Sequence, residues 1–153
     1  MTLQILNKNE TREILNLLKK QFQILEIPGQ IIKIGKERLF LYQGSLNKEE
    51  IKKLDATILI ERAGVYFGKV KDNEIRLSIE GTHLFKDQIK KNIFEMNEKQ
   101  TDEWMHGSEL NVSSGKFGFA IMKHRDDFLG TGKASAEKIT NFIPKNRRLK
   151  FKN

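Results

Sequence analysis

There is no cysteine among the 153 residues. A disulfide scaffold, a thiol nucleophile and a cysteine-based zinc site are therefore excluded. The absence fits a reducing compartment, and a cytoplasmic protein is the expectation. No stretch approaches the roughly 18 apolar residues of a membrane helix, and Met1–Gln4 has no basic leader. No membrane partner is therefore expected. The three histidines, His83, His106 and His124, stand alone, with no second ligand at metal-binding spacing. Turn or surface positions suit them, although His124, between Lys123 and Arg125, could join a basic patch. No serine lies in a nucleophile-elbow context. The adjacent carboxylates Glu49-Glu50 and Asp126-Asp127 suit a helix start and a turn. No catalysis, no metal and no cofactor are expected. Asn9-Glu10-Thr11 and Asn111-Val112-Ser113 match the glycosylation triplet by chance.

What is present is charge and patterned apolar residues. Hydrophobic residues make up 38% and charged residues 31%, a balance that suits a folded chain rather than a disordered one. The net charge is +8. Residues 1–63 hold 11 Lys and Arg against 8 Asp and Glu; residues 64–153 hold 17 against 12. From Ile143 onward come Lys145, Arg147, Arg148, Lys150 and Lys152, with no acid. A basic cluster beside a folded module points to a polyanion partner, a solvated tail being the alternative.

Apolar residues at Ile14, Leu15, Leu17, Leu18 and Phe22 follow a helical period, which predicts a helix over 10–22 capped by Asn9. Ile27-Pro28-Gly29 breaks it. Gln30–Gly35 and Arg38–Tyr42 read as two strands around a turn, and Asn47 as the cap of a short helix over Lys48–Leu54. Thr57–Ile60 and the stretch holding Val65, Phe67 and Val70 read as strands. Glu74–Glu80 alternates as a half-buried strand, with one or two helical turns over Thr82–Ile89. Asn92–Met96 is strand-like, and Asn97–His106 helical with Gly107 closing it. Leu110 and Val112 alternate. Phe117–Met122 and Phe128–Ala134 complete the clearest strands, before Ile139–Ile143 and Pro144. Phe117 and Phe119 would share one face in the core. Trp104, among acids, would pack. Strands so short and frequent suggest a small barrel in the second half. No Pro- or Ser-rich linker divides the chain, and a soft boundary falls near 62–72.

Gly130-Thr131-Gly132-Lys133 invites a phosphate-loop reading. That motif needs Gly where Asp127 stands and Ser or Thr where Ala134 stands, so the match fails twice. The glycines are better read as bending a strand or admitting a close backbone. Basic groups bracket phosphates while aromatics stack on unpaired bases. By charge and position, Lys116, Lys123, Arg125, Lys133, Lys145, Arg147, Arg148 and Lys150 are the candidate RNA contacts.

Several segments, in order, resemble a known family. They are Arg62-Ala63-Gly64-Val65-Tyr66-Phe67-Gly68, Arg76-Leu77-Ser78-Ile79, Phe117-Gly118-Phe119-Ala120, Leu129-Gly130-Thr131-Gly132-Lys133 and Asn141-Phe142-Ile143-Pro144-Lys145. Together, over roughly 62–150, they resemble the PUA domain, and are similar to the pre-PUA/PUA factor of large-subunit biogenesis and to the C-terminal PUA domain of sun-family RNA methyltransferases. The resemblance implies an α+β chain: a small N-terminal α/β domain over 1–63, then a PUA-type mixed β pseudo-barrel with short helices over 64–153. It also implies binding to structured RNA, ribosomal or transfer, with Lys133, Lys145, Arg147 and Arg148 matching the family's basic contact region. An RNA-binding accessory protein in ribosome biogenesis or RNA modification is the leading expectation. An adaptor that positions a ribosome-assembly factor or RNA-modifying enzyme through the exposed face of helix 10–22 is the alternative.

Overall fold

In a computed structural model, described here for residues 2–57 and 64–150, helices and strands alternate in an α+β arrangement of two sheets and four helices. Strand β1 (Leu3–Ile5) leads into helix α1 (Lys8–Phe22). The cap of α1 is Asn7, not Asn9. Its side-chain oxygen accepts the Glu10 N–H at 2.9 Å, and the Glu10 carboxylate accepts the Asn7 N–H at 3.0 Å. Glu three residues after an Asn makes this reciprocal pair; Asn9 has Arg12 in that position. Ile14, Leu18 and Phe22 form the buried stripe.

Strands β2 (Gln30–Ile34) and β3 (Arg38–Tyr42) form the expected hairpin. Helix α2 (Lys48–Thr57) follows, with a second reciprocal cap between Asn47 and Glu50. Thr57, expected to open a strand, is the last residue of this helix. The rest of that expected strand, Ile58–Ile60, and Arg62-Ala63 of the resemblance lie outside the described residues, as do Phe151 and Lys152. Strands β4 (Val65–Lys71) and β5 (Glu74–Leu77) are joined by Asp72-Asn73, both at positive φ (51° and 58°). Two such residues make the mirror-image tight turn that matches strand twist.

The alternation expected to run through Glu80 stops at Leu77. Ser78 accepts the Gly81 N–H through its hydroxyl and starts helix α3 (Ile79–Leu84). Strand periodicity and a helix cap overlap in Ser78-Ile79-Glu80, and the cap prevails because it satisfies a helical N–H. Strand β6 (Ile93–Glu95) and helix α4 (Glu98–Met105, capped by Asn97) come next. Strands β7 (Gly118–His124), β8 (Asp127–Ala134) and β9 (Ile139–Asn141) end in a 3-10 turn over Lys145–Arg147. Leu110 contributes a single bridge to Ile139 rather than a strand.

The first sheet has the order β1-β2-β3-β4-β5, all antiparallel; the second, β6-β7-β8-β9, is mixed, with β6 parallel to β7. Strand pairing runs through the division expected at 63/64, since β3 pairs with β4. The main core likewise draws on both sides: Leu18, Phe22, Ile31 and Leu39 meet Phe67, Ile75, Phe85 and Ile121. Full burial of each such side chain stabilises the fold by roughly 1.5–3 kcal/mol. The outer strand β5 is closed by a side chain. Gln21 of α1 donates to the Ile75 carbonyl at 3.0 Å and accepts the Ile75 N–H at 2.7 Å. One amide thus occupies both groups of a strand edge that could otherwise recruit another chain.

Helix α3 lies against both β4 and β8 and so joins the sheets. It comes close because residue 81 is glycine: a Cβ there would sit 2.2 Å from the Phe67 carbonyl oxygen. Gly81→Ala must push the helix away, and is expected to cost about 1–3 kcal/mol. A denaturant midpoint equal to that of the parent would disprove this close fit.

A candidate nucleic-acid interface

The join between the sheets leaves a cleft of about 530 Å³. One wall is the face of β3, β4 and β5, bearing Arg38, Phe40, Tyr66, Lys69 and Arg76. The other is Gly130 and Thr131 of β8 with Phe142, Ile143, Pro144, Asn146 and Arg147. Among the described residues, four cations line it with one carboxylate, Glu80.

Three of these cations form a row. Arg38 stands opposite Lys69 in the β3–β4 pairing, and Lys69 opposite Arg76 in the β4–β5 pairing. A register shift at Leu39/Phe40 then brings Tyr66 opposite Phe40, so an aromatic pair lies beside the charged row. The Phe40 and Tyr66 rings are 5.5 Å apart. Like charges directly across a strand pair repel one another, and here two such pairs share Lys69. Such local repulsion is characteristic of functional positions.

Arg76 is the hub. Its guanidinium lies 4.3 Å from the centroid of the Phe142 ring, and its charge acts on the Tyr66 hydroxyl. Burial raises the Tyr66 pKa above its usual 10.0, partly countered by Arg76 and Arg38. The hydroxyl therefore stays protonated at neutral pH. Glu80, in contrast, has a lowered pKa. Partial burial acts to raise it, but hydrogen bonds from Arg147 and from its own backbone, with the Arg147 charge, outweigh that. Its carboxylate pairs with Arg147 at the cleft edge. The cleft also contains an unsatisfied group: the Thr131 hydroxyl is buried and, among the described residues, without a hydrogen-bond partner.

The candidate contacts read from the sequence fall into separate places. Arg147 lines the cleft. Lys133 lies 5.3 Å over Phe119, and Phe119 meets Phe142 edge-on at 6.2 Å, so a line of rings leads from Lys133 to Arg76. Lys116, Lys145 and Lys150 form no ion pair among the described residues. Arg148 is held inward: its Nε donates to the Ile143 carbonyl, and its side chain packs over Gly107.

Lys123 and Arg125 sit at the far end of the β7–β8 hairpin, whose open end carries Lys133. They are paired with Glu95 and Glu98 respectively, and His124 also faces Glu98. These two therefore stand at the opposite end of the hairpin from Lys133, each beside a carboxylate. Phe117 is corrected as well. It is 76% exposed while Phe119 is half-buried. Gly118 between them has φ +89°, which ends the alternation that would have put both on one face.

Trp104 is buried, as expected, and donates from Nε1 to the Leu129 carbonyl at 2.9 Å. The glycine reading also holds. A Cβ on Gly132 would stand 2.8 Å from the Trp104 ring and 2.4 Å from Ile139. Gly130, at φ +86°, bends the strand beside the cleft.

A second hollow lies at the end of α1, lined by Lys19, Lys20, Lys90 and Lys91 with Leu25, which is 59% exposed. Lys91 reaches the Lys20 carbonyl at 3.2 Å and fixes this corner.

Residues 91–149 match the family described as the methyltransferase RsmF PUA domain. A PUA domain is therefore present where the sequence resemblance expected one, over its later part. No curated protein matches the chain. The matched segment supplies one wall of the cleft, from Gly130 to Arg147; the row Arg38–Lys69–Arg76 lies outside it.

Proposed function

We propose that this chain is a non-catalytic RNA-binding protein that serves ribosomal RNA modification or ribosome assembly, with transfer RNA as the other candidate target. The observation that carries the proposal is the row Arg38–Lys69–Arg76, three like charges held side by side on a cleft whose opposite wall belongs to the PUA domain. Phosphates along an RNA strand are the complement of cations set side by side in this way. Aromatic rings beside the row suit RNA, whose unpaired bases stack on such side chains. Lys133, Lys145 and Lys150 extend the positive surface beyond the cleft.

The test is a mobility shift with ribosomal and transfer RNA across a salt series. Each neutralised phosphate contributes a slope of about −0.7 to −0.9 in log K against log salt, so the row alone should give roughly −2 to −3. Salt-independent binding, or none at low salt, overturns the reading.

A second reading, an adaptor for an RNA-modifying enzyme or assembly factor, is supported by the hollow at the end of α1. An exposed leucine among lysines there suits a partner with an acidic, apolar segment. Its mark would be a stable protein partner whose co-purification survives nuclease.

A further inference from the structure

We infer that the cleft receives one unpaired nucleotide of an RNA strand, with its own and its flanking phosphates along the charged row and its base against Tyr66 and Phe142. This rests on the RNA-binding reading and narrows it to a particular structural feature of the RNA.

Three observations carry it. The first is size. A space of about 530 Å³ is of the order of a small-molecule site, roughly 300–1,000 Å³, and cannot admit a duplex. The second is spacing. Arg38 and Phe40 are two residues apart on β3, and Tyr66 and Lys69 face the same cleft from β4. Phe40 is buried and pairs with Tyr66, so at about 3.3 Å per residue the backbone position of Tyr66 lies roughly 7 Å from the row along the sheet. That matches the reach from a nucleotide's phosphate across its sugar to its base. The third is polarity within the walls. The Tyr66 hydroxyl lies in one wall, and the opposite wall adds the Arg147 guanidinium and the Asn146 side chain. A base edge offers both donors and acceptors to such groups. A paired base offers its ring face to its neighbours in the stack, so the nucleotide must be unpaired or extruded.

The experiment measures affinity of the full chain for two RNA hairpins with the same stem, one fully paired and one with a single bulged nucleotide, each of the four bases in turn. Fluorescence anisotropy at moderate salt reads the difference. Base–aromatic stacking predicts at least about tenfold tighter binding to the best bulge. Phe142→Ala should abolish the preference for the bulged hairpin. Because Phe142 is half-buried, a second measurement uses the parent protein: 4-thiouridine at the bulge should cross-link to peptides carrying Tyr66 or Phe142. Equal, salt-dependent binding of both hairpins, or cross-links confined to other peptides, overturns the inference and leaves the RNA-binding reading standing. Failure to bind either hairpin at low salt overturns both. Uridine monophosphate binding as tightly as the bulged hairpin would make this a free-nucleotide site, and would also overturn the inference.

Discussion

The double variant Lys69→Thr/Arg76→Gln is expected to lose about a hundredfold or more in RNA affinity, taking roughly 1.5–3 kcal/mol for each charge-assisted contact removed. Its salt slope should fall by about 2, one for each phosphate contact. The single variant Lys69→Thr gives the sharper test because its two effects have opposite signs. Lys69 stands between Arg38 and Arg76 on adjacent strands. Removing it relieves two like-charge pairs, each of the order of 0.2–1 kcal/mol, and places a β-branched residue in a strand. The free protein should therefore unfold at a higher denaturant concentration while its RNA binding weakens. A contact that merely supported the fold would lower both. If Lys69→Thr destabilised the protein and left RNA affinity intact, the row would be structural and the cleft would lose its role.

That row was legible in the sequence only in fragments. Arg38, Lys69 and Arg76 are spread over 39 positions, and nothing local marks them as neighbours. Antiparallel pairing brings them together. The Asp72-Asn73 turn fixes half of it, because a two-residue hairpin at 72–73 sets Lys71 against Glu74 and Lys69 against Arg76. The β3–β4 half depends on a bulge and on strands separated by a helix, which no local pattern reveals. Charge was instead read where it was contiguous, near Lys145–Lys150, and around Lys123–Arg125, where acids of β6 and α4 turn out to pair with it. Elements with strong apolar periodicity were readable throughout: α1, the β2–β3 hairpin, α4, and β7 and β8. Where two local rules competed, as at Ser78 and Gly118, the cap and the positive φ prevailed over strand alternation. The PUA domain was legible because its signals are themselves local and ordered, ending in Gly130 and Gly132 of β8 and the Asn141–Lys145 stretch.

The largest loss of stability is expected at Trp104, and it bears on the cleft. Trp104→Ala should cost about 3–5 kcal/mol, measured by chemical denaturation. The ring is fully buried among Met96, Leu110, Met122, Ile139 and Ile143, and its removal also leaves the Leu129 carbonyl without its donor. A closer test follows from Gly132. In the parent, Gly132→Ala drives a Cβ against both the Trp104 ring and Ile139, and is expected to cost about 1–3 kcal/mol. In the Trp104→Ala background one of the two obstructions is gone. The second substitution should then cost less, with a coupling of at least about 0.5 kcal/mol between the sites. Strictly additive effects would mean that the glycine is not there for the tryptophan. The functional consequence follows from strand β8. It carries Gly132 under the ring and Gly130 and Thr131 in the wall of the cleft. RNA binding by Trp104→Ala should accordingly fail in step with its unfolding, whereas Lys69→Thr loses affinity in a protein that remains folded. These two variants separate the residues that hold the wall in place from those that meet the RNA.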